Sequence, residues 1–218
     1  MLVGERMTPR PITIRESDSV DEGLRLMREK QIRRLPVLNK SGELVGIVSE
    51  QDLLKVSPSP ATSLSIYEIP YLLAKIKIVD VMTEDVVTVT DDTPLEEAAR
   101  IMANSRIGGL PVTKDGKLVG IITETDMFKL FLELFGAREC GVRISMLVPE
   151  EKGMLAKITG RIAEMGGNIL ALGTMMGEDP TNREIALRVA DVTLDELTAA
   201  MEELGAKIKI KDSRVCEY

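Results

Sequence analysis

"GIVSEQD", Gly46–Asp52, and "GIITETD", Gly120–Asp126, are one phrase written twice. Each opens on glycine, passes through two β-branched residues to a hydroxyl, and ends on an aspartate three places later. Alone, the phrase describes a strand running into a capped helix. Ser49 or Thr123 would accept a backbone N–H, and the acid at the third helical position would close the box. The same geometry also suits a ligand grip. A helix start presents free N–H groups and the positive end of the dipole, which favours phosphate. A carboxylate one turn in can accept two hydrogen bonds from a vicinal diol such as ribose. Glycine would let the backbone approach closely. Cap and grip are compatible, so the phrase needs its context.

That context is a duplication. Met7-Thr8 recurs as Met82-Thr83, 75 residues on, and at the same offset Thr13, Glu22, Met27, Ile32 and Leu35–Val37 meet identical residues. One residue drops out where "NKSGELVG" becomes "KDGKLVG", after which Gly46, Glu50, Asp52 and Lys55 recur 74 residues on. A single gap in a glycine-containing turn is what a duplicated unit shows. Each copy has the grammar β-α-β-β-α. An extended piece ("PITI", "VVTV") precedes an amphipathic helix, then two strands turn at Gly42 or Gly116, and a second helix begins at "SEQD" or "TETD". Ser19 and Glu22 have capping-box spacing, as do Thr93 and Glu96, with Pro94 at the first helical position. Val20, Leu24, Met27 and Gln31 share a helical face, as do Leu95, Ala99, Met102 and Arg106. The "SPSPATS" segment, Ser57–Ser63, is a polar, Pro-rich linker, and the apolar "IYEIPYLLAKIKI" after it is expected to pack over the junction.

Composition removes several function classes. Apolar residues make up 44% of the chain but aromatics only 3%, so the cores are built of Leu, Ile, Val, Met and Ala. A net charge of −7 argues against general nucleic-acid binding. There is no histidine, which excludes a His-based triad, a Cys–His pair and a histidine zinc site. No metal site is expected. Cys140 and Cys216 read as two reduced thiols. No signal-peptide pattern or membrane-length apolar run occurs, so the expected location is the cytoplasm.

The repeated unit resembles a tandem pair of CBS domains, the Bateman module. The resemblance is carried by "RMTPRPITI", "IRRLPV" and "GIVSEQD" in the first copy and "VMTEDVVTV", "IGGLPV" and "GIITETD" in the second, over about residues 5–131. It implies an adenosyl ligand (AMP, ADP, ATP or S-adenosylmethionine) bound between the paired units as a regulatory ligand, with no cofactor required. It places Thr13 and Thr88 beside base or ribose and the backbone around Leu35-Pro36 and Leu110-Pro111 at the adenine edge. Ser49 and Thr123 would reach phosphate or ribose oxygens, and Asp52 and Asp126 would hold the ribose hydroxyls. The copies differ in charge: Arg33-Arg34 precede "LPV" in the first, whereas Gly108-Gly109 do so in the second, with Arg106 just upstream. We therefore expect two unlike sites, the first better suited to several phosphates. A solvated arginine pair is the alternative.

From Cys140 the pattern changes. "GVRISMLV", "NILALGTMM", "REIALRVA" and "AKIKIKDS" alternate as strands. "GMLAKITGRIAEMGG" and "TLDELTAAMEELG" are amphipathic helices, the first with Leu155, Ile158, Ile162 and Met165 inward. The order β-α-β-β-α-β is ferredoxin-like. "VPEEKGMLAKI" followed by "GGNIL" resembles an ACT domain over residues 141–214. That implies a ligand loop at Glu151, Lys152, Gly153, Met154 and Leu155, with Asn168 and Ile169. Lys152 stands where the family usually has proline. A dimerising domain with an empty site is the alternative. The lysines of "KIKIK" read as a solubilising sheet edge.

The expected fold class is α/β (α+β). The expected divisions are a first CBS unit at 1–56, a linker at 57–79, a second CBS unit at 80–131, a linker at 132–140 and an ACT-like domain at 141–218. Two CBS units followed by an ACT unit are similar to the acetoin-utilisation B-type regulatory proteins. The expected function is non-enzymatic, allosteric regulation, with an adenosyl small molecule as ligand, a homodimer as assembly, and a metabolic enzyme as a further partner. A structural adaptor with vestigial nucleotide sites is the other reading. A nucleotide-hydrolysing enzyme is disfavoured, because there is no Walker lysine motif and no acidic metal cluster with a nearby base.

Overall fold

The computed structural model describes residues 1–57, 73–205 and 207–215. Residues 58–72, which take in nearly all of the polar linker and the first half of the apolar segment, lie outside the described residues, as do 206 and 216–218 with Cys216. Two compact units divide the chain, Met1–Met127 and Phe128–Tyr218.

The first unit contains both repeats. In the first repeat β2 (Ile14–Arg15), α2 (Val20–Lys30), β3 (Arg34–Leu38), β4 (Leu44–Ser49) and α3 (Glu50–Lys55) follow the expected β-α-β-β-α order. In the second, β5 (Val89–Thr90), α4 (Leu95–Ser105), β6 (Gly109–Lys114), β7 (Lys117–Thr123) and α5 (Glu124–Leu134) repeat it. The division between the units falls inside α5. In each copy the short first strand lies parallel to the second, and the second and third form an antiparallel hairpin. Asp115 and Gly116, at φ 49° and 75°, make the two-residue turn of the second hairpin, a conformation with both central residues left-handed. The first copy keeps one more residue there. The Asn39 side chain orders that loop by accepting from the N–H groups of Ser41 and Glu43.

The faces that bury are those the periodicity selects. Val20 and Met27 of α2 join Ile14, Leu35, Val37, Val48 and Leu53 in one core. In the second copy Leu95 and Met102 of α4 are buried as expected, with Ala98 rather than the half-buried Ala99 between them, and Leu110, Val112 and Ile122 are buried in the strands. Gln31 and Arg106 end the faces as left-handed C-caps, which suits their polarity. Ser19 caps α2 by accepting from Glu22 N–H at 3.2 Å. Thr93 does not cap α4. Pro94 is the N-cap and makes no side-chain bond, while the Thr93 hydroxyl accepts from Thr90 N–H. The repeat itself explains this, since the offset aligns Ser19 with Pro94 rather than Thr93.

The copies exchange their leading segments. β1 (Thr8–Pro9) belongs to the second repeat's sheet, whose strand order is β1-β7-β6-β5, and the short α1 (Val3–Arg6) before it docks on the same repeat. Val3 N–H donates to Thr93 O, and Gly4 N–H to Asp91 O. The corresponding segment before the second repeat, with its 3-10 turn Ile78–Asp80, docks on the first. There Ile78 N–H donates to Asp18 O, and Val79 N–H to Glu16 O. Buried Ile78 and partly buried Ile76 thus pack into the first core.

The second unit has the expected β-α-β-β-α-β order: β8 (Val142–Pro149), α6 (Met154–Glu164), β9 (Asn168–Met176), β10 (Asn182–Ala190), α7 (Leu194–Glu203) and β11 (Lys209–Val215). The antiparallel sheet is ordered β11-β8-β10-β9. Its core joins Ile144 and Met146 of β8, Ile158 and Ile162 of α6, Ile185 and Leu187 of β10, and Leu197 and Met201 of α7. Leu155 departs from the expectation. It is exposed, and Met154 packs on the core in its place. Thr193 and Glu196 form a complete capping box on α7. The last strand begins later than expected, at Lys209, and bulges before Asp212. Lys211 pairs with Glu178 at 3.3 Å and Glu184 at 3.4 Å, so that edge lysine serves its own sheet.

Candidate functional site

The two halves of the repeated phrase are strand and helix, joined at the hydroxyl. Ser49 ends β4 and is the N-cap of α3. Its hydroxyl accepts from Asp52 N–H at 3.2 Å and donates to Asp52 Oδ2 at 2.6 Å, while Ser49 N–H donates to the same oxygen at 3.1 Å. Lys55 Nζ reaches Oδ1 at 3.3 Å. Burial pushes the Asp52 carboxyl up, but the bonds from Ser49 and Lys55 outweigh it and leave the pKa below the ordinary 3.8. The second copy repeats the carboxylate side. Thr123 N–H and hydroxyl donate to Asp126 Oδ2 at 3.0 and 2.7 Å. The hydroxyl-to-carboxylate bond is therefore present in both copies, and each aspartate is fixed as an acceptor in the first turn of a helix.

Strand register collects the other candidates of the first copy at the same end. Arg34 is opposite Ser49, and Pro36 opposite Ile47. The parallel pairing of Ile14 with Val37, carried back one residue, sets half-buried Thr13 level with Pro36. Leu35 and Pro36 are buried on the central strand, between β2 and β4. In the second copy Gly109 is opposite Thr123 and Pro111 opposite Ile121, with Leu110 and Pro111 buried and Thr88 exposed. Arg33 and Arg106 are exposed.

The recurrent glycines have a packing reason. A Cβ on Gly46 would overlap the Met82 sulfur and lie 3.0 Å from Met82 Cγ. A Cβ on Gly120 would overlap the Met7 sulfur and lie 2.9 Å from Met7 Cγ. Each glycine thus receives the methionine of the other repeat's leading segment, held there by Ile47 pairing with Thr83 and Ile121 with Thr8. The close approach is made by this chain, not by a ligand. Met-Thr and the glycine both recur along the sequence, but the recurrence does not say that they meet across the copies.

Arg34 also crosses between copies. Its guanidinium lies where a Cβ on Gly108 would sit, and its Cδ would be 3.0 Å from a Cβ on Gly109. Its Nη2 is 3.8 Å from Glu124 Oε2, at the first residue of α5. The arginine of one copy therefore needs the glycines of the other, which accounts for the charge difference before "LPV".

A model of the CBS domain matches residues 3–59 and 78–133. This chain belongs to the CBS domain family. Protein MJ1426 of Methanocaldococcus jannaschii is 34% identical over 158 residues, 61% of this chain and 92% of that protein. The solved CBS domain pair of protein MJ0100, in complex with 5′-methylthioadenosine and S-adenosyl-L-methionine, has a TM-score of 0.51 at 28% identity. It covers 64% of this chain and 98% of that one. A putative acetoin utilization protein (AcuB) from Vibrio cholerae has a TM-score of 0.52 at 31% identity, covering 64% of this chain and 96% of that one. No described helix is long and apolar enough to cross a membrane, and no group of three or more His, Cys, Asp or Glu that could hold a metal occurs among the described residues.

In the second unit, a groove of about 320 Å³ lies beside the loop after β8, lined by Glu151, Gly153, Met154 and Leu155 together with Arg183 and Thr174. Arg183 pairs with Glu150 across it. Lys152 is exposed and is not part of the lining. Asn168 and Ile169 are not brought to this loop. They begin β9, opposite Ala190 and Val189, and Val189 also pairs with Val142 at the start of β8. The loop follows the other end of β8, so strand direction separates the two parts of the expected site.

Proposed function

We propose that this protein is a non-enzymatic regulator whose CBS pair senses an adenosyl ligand: AMP, ADP, ATP or S-adenosylmethionine. The observation that carries this reading is the likeness to the MJ0100 pair, which is in complex with two adenosyl compounds. The geometry supports it. Each copy holds an aspartate hydrogen-bonded to a hydroxyl at a helix start, near the strand that carries a buried Leu-Pro. A carboxylate already bound at Oδ2 by backbone and hydroxyl is preorganised to accept a diol without a rotamer search. Thr13 and Thr88 directly precede the first strands, a position that supports a contact with base or ribose.

The second unit is assigned as an ACT-type module that joins two protomers or takes a second small ligand at the groove by Glu151, Gly153 and Leu155. Its element order and that groove support the assignment. Regulation requires the ligand to bind two arrangements of the protein with different affinity.

Thermal denaturation of the whole chain with AMP, ADP, ATP and S-adenosylmethionine tests the reading. A ligand at one hundred times its dissociation constant adds about 2.7 kcal/mol of stability. Asp52→Ala and Asp126→Ala each remove one grip and reduce that gain. No shift with any of the four removes the sensor reading and favours an adaptor. Undiminished shifts in both variants remove the site assignment.

A further inference from the structure

The Arg34–Glu124 pair has no counterpart in the repeat pattern. At the repeat offset Arg34 aligns with Gly109, so only one copy sends an arginine across. Its guanidinium occupies the space over Gly108, is only 27% exposed, and faces Glu124 at 3.8 Å. Glu124 is 59% exposed and is the residue between Thr123 and the rest of α5. Thr123 and Asp126 are the second copy's grip. An arginine beside that grip is therefore supplied by the first repeat, and a carboxylate of the second holds it.

We propose that Arg34 and Glu124 set the charge preference of the second repeat's adenosyl site. This rests on the adenosyl reading above. A phosphate near the Thr123 hydroxyl would need Arg34 as its counter-ion. In this arrangement Arg34 is engaged by Glu124, and Glu124 itself repels the phosphate. Adenosine, or a ligand with a cationic sulfonium, needs neither change. The pair thus favours uncharged or cationic adenosyl ligands at the second repeat. Neutralising Glu124 releases Arg34 toward polyphosphate. The charge reached by Arg34 belongs to the second copy, whereas sequence order alone assigns it to the first.

Calorimetric titration of the whole chain with adenosine, AMP and ATP tests this in the parent, E124Q, R34Q and the double variant. Adenosine binding serves as the control for folding in every protein. E124Q is expected to tighten ATP about fivefold relative to adenosine, the scale of a partly exposed charge interaction. R34Q is expected to weaken ATP about tenfold relative to adenosine. The gain from E124Q should vanish in the R34Q background, because the two residues act as one unit. An unchanged ATP-to-adenosine ratio in all four proteins overturns the proposal while leaving the adenosyl reading standing. So does an E124Q gain of equal size without Arg34, which would make Glu124 a simple repeller. If the parent binds none of the three, this proposal falls, and the adenosyl reading is left to S-adenosylmethionine alone.

Discussion

Asp52 is held by three donors from Ser49 and Lys55, and its carboxyl stays below the ordinary carboxylate pKa. A group with a depressed folded-state pKa stabilises the fold above its unfolded value and loses that contribution as the pH falls through the folded one. Asp52→Ala should therefore cost about 1 kcal/mol near neutral pH, the usual worth of a cap. In urea unfolding, the gap between parent and variant should close as the pH is taken below 3.8. Gly46 makes the opposite kind of demand. Gly46→Ala would drive a methyl into Met82 and should cost about 1–2 kcal/mol by overpacking. Met82→Ala in the same chain should recover much of that loss, which urea unfolding can read. If it recovers none, the glycine is not there for the methionine.

The exchanged leading segments set which element stabilises which repeat. Val3 is fully buried in the second copy, although it lies at the start of the first. Val3→Ala should lower stability by about 2 kcal/mol. In hydrogen exchange the loss should appear along β7, where Thr8 pairs with Ile121. Ile78→Ala should instead expose β4 through the Ile47–Thr83 pairing. Protection lost in the repeat nearer in sequence would contradict the exchange. The elements themselves were legible, because helices α2 and α4 carry a 3.6-residue apolar face and the hairpins turn at glycine. The exchange was not, since an extended Met-Thr pair carries no record of which sheet it will join.

Across the whole chain, the two units have separate cores. Calorimetry of the intact protein should show two transitions, with an adenosyl ligand raising only the one that belongs to Met1–Met127. Ile158→Ala, at a fully buried position in the second unit, should lower the other transition by about 3 kcal/mol and leave the ligand shift unchanged. A single transition that moves as a whole with ligand would mean the units unfold together.

The sequence by itself determined the duplication, the β-α-β-β-α and β-α-β-β-α-β orders, and the capped aspartates. All of these rest on short-range periodicity and on bonds between residues three apart. Tertiary structure alone decided three things: that Gly46 and Gly120 seat methionines, that Arg34 reaches Gly108 and Glu124 of the other copy, and that Asn168 stands away from the loop at Glu151. Each depends on which distant strand lies alongside, and on strand direction. Sheet pairing between remote segments is chosen by the packed fold as a whole, so no local run of residues records it.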